Sequence, residues 1–205
     1  MSLRSSDIAA VLTAAEASVH AGGGSAAALA AADRIFTGSR TGSGLSVSVD
    51  PARLPVCRYF DAAIARAGAH PGISGRLAEA VAAVEPRLNW RTRPGAQGAA
   101  FLEGHANAII VGPGGLEERN DILIGVSLVA PGTLYPDHHH PPEEVYVVLS
   151  DGEWRQGTGP WHAPGTGGIV YNPPNIVHAM RSGQDPLLAL WCLWIASNDA
   201  ALAAP

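Results

Sequence analysis

The pattern of apolar positions changes character near residue 87. Before it, apolar residues recur at helical spacing. In residues 5–20, SSDIAAVLTAAEASVH, the stripe is Ile8, Leu12, Ala15 and Val19. Ser5 or Ser6 stands where a cap is needed, and Asp7 complements the positive end of the helix dipole. Gly22 to Gly24 end this helix, and a second, Ala-rich helix is expected over Ser25–Phe36. Thr37–Pro55 reads as a Gly/Ser-rich connector, with LSVSV as a candidate short strand. Helices are expected again over Val56–Gly68 and Ile73–Val84, the second closed by Pro86. Beyond Leu88 the period becomes that of strands. Candidates are Ala99–Gly104, Ala106–Val111, Ile122–Ala130, Val145–Leu149, Glu153–Gln156, Gly168–Tyr171, Val177–Arg181 and Leu187–Ile195. Turn signals separate them at Gly112–Gly115, Ser150–Gly152, Gly157–Pro160 and Ser182–Pro186. Many short strands between such turns predict a mainly β, jelly-roll barrel at 87–205, behind an α-helical N-terminal extension at 1–86. Alanine-faced helices gain little per residue on burial. The extension is therefore expected to dock on the barrel or on a second subunit, in a homodimer.

Composition narrows the possible partners. The 205 residues carry a formal net charge of −5, with no Lys and with Arg scattered singly. That argues against nucleic acid or an anionic membrane surface as the main partner and leaves a small molecule. The most apolar window, Leu187 to Ala196, is too short to span a bilayer. With Asp7 and Glu16 in its first helix, the N-terminus is not expected to be a secretory signal. Cys57 and Cys192 lie far apart and in no CxxC arrangement, so both are expected as reduced thiols of a cytoplasmic protein. The GGG run has no strand before it and no GK[ST] after it, and reads as a helix–helix turn rather than a phosphate loop.

Chemistry concentrates in Gly132–Gly152, GTLYPDHHHPPEEVYVVLSDG. Five residues separate Gly132 from His138, one separates His138 from His140, and three separate His140 from Glu144. His138, His140, Glu144 and Tyr146 share parity, and alternate residues of a strand share a face. Pro141 and Pro142 interrupt the ladder, so the histidines end one strand and Glu144 opens the next. His139 and Glu143 have the opposite parity and are expected to point away. Imidazole nitrogen with carboxylate oxygen suits a borderline divalent metal. A further ligand arrives with His178, at the end of PGTGGIVYNPPNIVH. Tyr146 would place a phenol beside the metal, where a dication favours phenolate and hence a general base. The bland alternative is a packed barrel aromatic. Tyr135 is a candidate for the barrel mouth. Trp191 and Trp194, three apart in the last strand, face opposite ways, so one of them is expected to line the cavity. Asn172 reads as a turn residue, Tyr171 as core, and Trp154 and Trp161 as packing residues. His20, His70, His105 and His162 have no partners at ligand spacing.

The two segments together resemble the paired motifs of the cupin superfamily. The first motif is Gly, five residues, His-x-His, three or four residues, Glu, then a closing Gly. In the second, Gly167, Pro173 and His178 fall at the expected spacing. Asn175 replaces a usual Gly, Ser182 stands where Asn is common, and Gly152 comes one residue late; these departures concern turns rather than ligands. Residues 130–152 and 171–180, the aromatic last strand and the helical extension resemble more narrowly the cupin-type dimethylsulfoniopropionate lyases. The resemblance implies one divalent ion per chain, iron(II), zinc or manganese, near His140, Glu144, His178 and Tyr146, with His138 as a further ligand or a substrate contact. It implies Tyr146 as base, Tyr135 and His138 as substrate-positioning groups, and Trp191 or Trp194 against the substrate. The reaction implied is β-elimination of dimethylsulfoniopropionate to dimethyl sulfide and acrylate, with the metal on the substrate carboxylate. A dioxygenase, another lyase or isomerase acting on a small carboxylate, and a non-catalytic binding barrel are the alternative readings.

Overall fold

The computed structural model describes residues 4–42, 44–70 and 72–196. The first helix, α1 (Ser6–Ala21), is capped by the Ser5 hydroxyl, which accepts from the Ile8 amide, and it buries Ile8, Val11, Leu12, Ala15 and Val19 on one side. Helix α2 (Ala26–Thr41) is capped by Ser25 and runs five residues past the expected Phe36 end. The extra turn is a tertiary effect, because Gly38 lies against an indole: a Cβ built there would meet Trp194 Cζ3 at 2.7 Å. A 3-10 turn over Pro55–Tyr59 leads into α3 (Phe60–Gly68), and α4 (Ile73–Val84) ends in a second 3-10 turn, Glu85–Arg87. The described helices are all too short or too polar to cross a membrane.

One expected strand is a helix. Residues Ala99–Gly104 form α5. Only Phe101 and Gly104 are buried in it, while Leu102 is exposed, so no face is available for a sheet. Ala, Leu and Glu favour helix where packing does not dictate otherwise.

The strands are β1 (Leu45–Ser46), β2 (His105–Val111), β3 (Glu117–Glu118), β4 (Ile122–Val129), β5 (Leu134–His138), β6 (Glu144–Val148), β7 (Glu153–Gln156), β8 (Ile169–Asn172), β9 (His178–Arg181) and β10 (Leu187–Trp194). They form a seven-stranded sheet in the order β1-β3-β2-β4-β10-β6-β8, and a three-stranded sheet in the order β5-β9-β7. The fold is a cupin jelly roll, mainly β, with an N-terminal helical layer. Parity sorts the larger sheet cleanly. Ala106, Ala108, Ile124, Val126, Val145, Val147, Leu190 and Cys192 share a core with the helices. Ile109, Leu123, Tyr146, Val148, Ala189, Trp191 and Leu193 face inward, with Tyr135, Trp154 and Met180 of the smaller sheet. Because both faces are covered, β2, β4 and β6 are buried at every position. Such strands read as continuous apolar runs rather than as an alternation.

Candidate metal centre

The Pro141–Pro142 break does more than turn the chain. Strand β5 pairs with β9 in the smaller sheet, whereas β6 pairs with β10 and β8 in the larger one. The first motif therefore crosses between sheets, and its ligands meet in the space between them. His138 lies opposite His178 across β5 and β9, while Glu144 lies opposite Asn172 across β6 and β8. Asn175, at the position where glycine is usual, takes a left-handed φ of 61°, which asparagine tolerates better than most residues. Its amide donates to the His140 carbonyl at 3.0 Å, tying the second motif to the first.

Three ligand atoms converge. Among the described residues, His140, Glu144 and His178 form the one set of His, Cys, Asp or Glu whose ligand atoms lie within 4.8 Å of one another, and all three are buried. The imidazoles are held by their far nitrogens: His140 Nδ1 lies 2.8 Å from the Pro142 carbonyl and His178 Nδ1 lies 3.0 Å from the Ile176 carbonyl. A carbonyl can only accept, so each Nδ1 carries the proton and each Nε2 presents a lone pair when the ring is neutral. Both Nε2 atoms lie 3.3 Å from Glu144 Oε2. Neither Nε2, nor Glu144 Oε1, makes a hydrogen bond, although all three atoms are buried. Buried polar atoms without partners are costly. Two imidazole nitrogens and a carboxylate oxygen aimed at one point fit a divalent ion.

The electrostatics of the protein alone point the same way. Burial works against a charged Glu144, but His140 and His178 outweigh it and hold the carboxyl well below its ordinary range. Burial also opposes charge on His140, and the Glu144 carboxylate more than compensates, so its pKa is raised. His138 differs: burial, then the neighbouring His178, lower it to about 3, so it is a neutral ring. Its Nδ1 lies 2.9 Å from the Pro136 carbonyl, and its ring centroid is 4.1 Å from that of His178. It lies beside the converging set, its ring tilted 55° to that of His178.

Tyr146 shares the inner face with Glu144, is buried, and pairs in register with Trp191. Burial and then the Glu144 charge raise its phenol well above the ordinary value. Tyr135 is packed by Phe101, His105 and His138, at centroid distances of 4.7, 5.3 and 4.8 Å, with the Arg93 guanidinium 5.8 Å over its ring. The two tryptophans do face opposite ways. Trp191 faces the interior, whereas Trp194 packs with the helical core beside Gly38, on the face away from the converging ligands. His139 is exposed, and Glu143 points outward to accept from the Tyr171 hydroxyl at 2.8 Å and to pair with Arg34.

Asn172 is not a mere turn residue. It is buried, and its Nδ2 donates to Glu144 Oε2 at 2.9 Å, while Gln156 Nε2 donates to its Oδ1 at 2.9 Å. Gln156 thereby fixes which end of the amide meets the carboxylate. Asn107 and Ser127 were equally unmarked by any motif. A polar residue inside an apolar strand, as in HANAIIV and ILIGVSLV, is the sequence signal for such buried networks. His105 is locally satisfied, as expected for a histidine outside the motif; it is also fully buried and stacks on Phe101 at 3.7 Å.

A cupin barrel with a buried His–Glu–His set is the class that the fold and the site define. Within that class, residues 29–189 match the dimethylsulfoniopropionate lyase family, and the chain belongs to that family of carbon–sulfur lyases. It is 29% identical over 167 residues to the DddL protein of Cereibacter sphaeroides, covering 78% of this chain and 70% of DddL. It is 33% identical over 98 residues to dimethylsulfoniopropionate lyase DddQ of Ruegeria pomeroyi, 47% of this chain and 48% of DddQ. The crystal structure of DddQ from Ruegeria pomeroyi DSS-3 superposes with a TM-score of 0.69 at 24% identity, over 97% of this chain and 96% of that one. A chain from the crystal structures of the lyases RdDddP and RnDddQII superposes with a TM-score of 0.71, also at 24% identity, over 97% and 95%. At that identity the superpositions establish the fold.

Proposed function

We propose that the protein cleaves dimethylsulfoniopropionate to dimethyl sulfide and acrylate by β-elimination, with Tyr146 as the general base. The observation that carries this reading is the placement of the Tyr146 phenol on the same buried inner face as Glu144, two residues along β6 from a converging His–Glu–His set. His140, Glu144 and His178 would hold the ion. When bound, the divalent ion supplies positive charge that stabilises both the anion developing on the substrate carboxylate and a phenolate nearby.

The remaining chemistry belongs to side chains. Tyr146 takes the proton from the carbon next to the carboxylate. That C–H pair becomes the carbon–carbon double bond, and the carbon–sulfur bond breaks with its electrons leaving on sulfur. The sulfonium departs as neutral dimethyl sulfide and acrylate remains, so no redox step is involved. Tyr135 and His138 position the substrate, His138 as a neutral ring. The aromatic faces of the inner cluster, Trp191 among them, attract the sulfonium by about 0.5–2 kcal/mol of cation–π energy. Trp194 lies with the helices and has no part in this.

The test is headspace detection of dimethyl sulfide from metal-loaded protein, comparing wild type with Tyr146→Phe at matched metal content. Phenylalanine keeps the ring and removes only the hydroxyl. General-base catalysis is worth about 10²–10⁴-fold, and a loss of that size is expected. Activity within about threefold of wild type would remove Tyr146 from the mechanism, with His138 the next candidate.

A further inference from the structure

Behind Tyr135 runs a buried polar chain that links three strands of the larger sheet to the smaller one. Trp191 Nε1 donates to Ser127 Oγ at 3.1 Å, Ser127 Oγ donates to Asn107 Oδ1 at 2.8 Å, and Asn107 Nδ2 donates to the Tyr135 hydroxyl oxygen at 3.1 Å. All four side chains are buried. The chain has a direction, and the direction starts at Trp191, because an indole N–H can only donate. Ser127 therefore accepts and has one proton to place. Its neighbour in register is Asn107, and the carbonyl end of that amide takes the proton. Turning the amide over would leave the Ser127 proton buried between the sheets without an acceptor, a costly arrangement. With the carbonyl committed to Ser127, the NH₂ end must face Tyr135, whose oxygen accepts. The Tyr135 proton is then directed away from the sheet.

We infer that Asn107 is a positioning residue that sets Tyr135 as a hydrogen-bond donor toward the carboxylate of a small bound acid. Tyr135 lies next to His138, whose ring is tilted against that of His178 at a centroid distance of 4.1 Å, and the Glu144 charge acts on the Tyr135 phenol, so its hydroxyl proton is presented on the side of the converging ligands. Division of labour between the two phenols follows from their surroundings. Tyr146 faces a carboxylate, whereas Tyr135 is kept a donor by an amide. Gly125 makes the chain possible, because a Cβ there would stand 2.4 Å from Trp191 Cζ2 and displace the indole from Ser127.

The identity of the acid rests on the proposed lyase reading, and the test separates the two. The probe is propionate, which carries the substrate's carboxylate and lacks its sulfonium. Metal-loaded wild type, Asn107→Leu, Tyr135→Phe and the double variant are titrated by calorimetry. Tyr135→Phe is expected to weaken propionate by about tenfold or more, the loss of one hydrogen bond to a charged group. Asn107→Leu is expected to weaken it by about three- to tenfold in the wild-type background and not at all in the Tyr135→Phe background, since it acts only through that hydroxyl. Asn107→Asp keeps the bond to Ser127 but offers Tyr135 an acceptor, so it is expected to draw the proton inward and weaken propionate as Asn107→Leu does. Equal losses in both backgrounds would mean a general packing role and overturn the inference. So would Asn107→Asp binding like wild type, or wild type failing to bind propionate. Dimethyl sulfide release is followed in parallel. Its absence with the propionate cycle intact would overturn the lyase reading and leave the role of Asn107 standing.

Discussion

Replacing Asn172 by leucine isolates the support that Glu144 receives from behind. The side chains are similar in volume, and Gln156 keeps its other bond, to the Tyr171 carbonyl at 2.7 Å, so the change does not leave it without a partner. What disappears is the 2.9 Å bond from the Asn172 amide to Glu144 Oε2, between two fully buried groups. Hydrogen bonds to charged groups contribute about 1.5–3 kcal/mol, and about 1.4 kcal/mol is tenfold in an equilibrium constant. The whole bond thus bounds the effect at about a hundredfold. Freed of Asn172, the carboxylate must be immobilised when it takes up an ion, and loss of such supporting partners typically costs about 10–100-fold in metal affinity. The assay is competition between metal-free protein and a chromophoric chelator for zinc or manganese, with thermal unfolding of the metal-free variant as a control. A dissociation constant within about twofold of wild type, with the fold intact, would show that Glu144 is placed by the β6 backbone alone.

Acid should weaken the metal-free protein through His138. Its folded pKa of about 3 lies below the ordinary 6.5, so between these values the unfolded chain binds the extra proton and stability falls as pH falls. His140, raised, is charged in both states below pH 6.5 and adds no slope there, while Glu144, lowered, contributes only as pH drops through 4.5 and beyond. A His138→Asn variant should therefore show a flatter denaturant midpoint between pH 6.5 and 4.5; an unchanged slope would refute the assignment. Gly125→Ala should cost about 1–3 kcal/mol in denaturant unfolding through overpacking and alter the near-ultraviolet dichroism of Trp191, since the added methyl meets both that ring and the Ala108 carbonyl at 2.3 Å. Wild-type stability in that variant would mean that β4 can shift away from the indole.

Much of the site was legible because its ligands come from two short segments whose spacing survives as text. Helical stripes, the Ser5 cap and the bounds of α4 follow from local rules, as does the common face of Glu144 and Tyr146. Local rules also explain the failure at Ala99–Gly104. Its apolar letters look like a strand, but only contact with a sheet could have made it one, and helix propensity decides where that contact is missing.

Tertiary structure decided what lies behind the ligands. Sequence alone determined a cupin motif pair and a divalent donor set; it expected strands from about residue 88, whereas α5 intervenes and β2 begins at His105. It could not show that β5 and β6 belong to different sheets, since a strand's partner is set by distant segments. Nor could it separate Trp191 from Trp194: parity says that they point apart, and only the docking of α2 says which one faces the interior. Asn172, Gln156, Asn107 and Ser127 carry no motif, because a buried hydrogen bond depends on register between strands many residues apart. Ligand spacing is a property of one strand and its turn. The networks that orient those ligands are properties of the packed sheets.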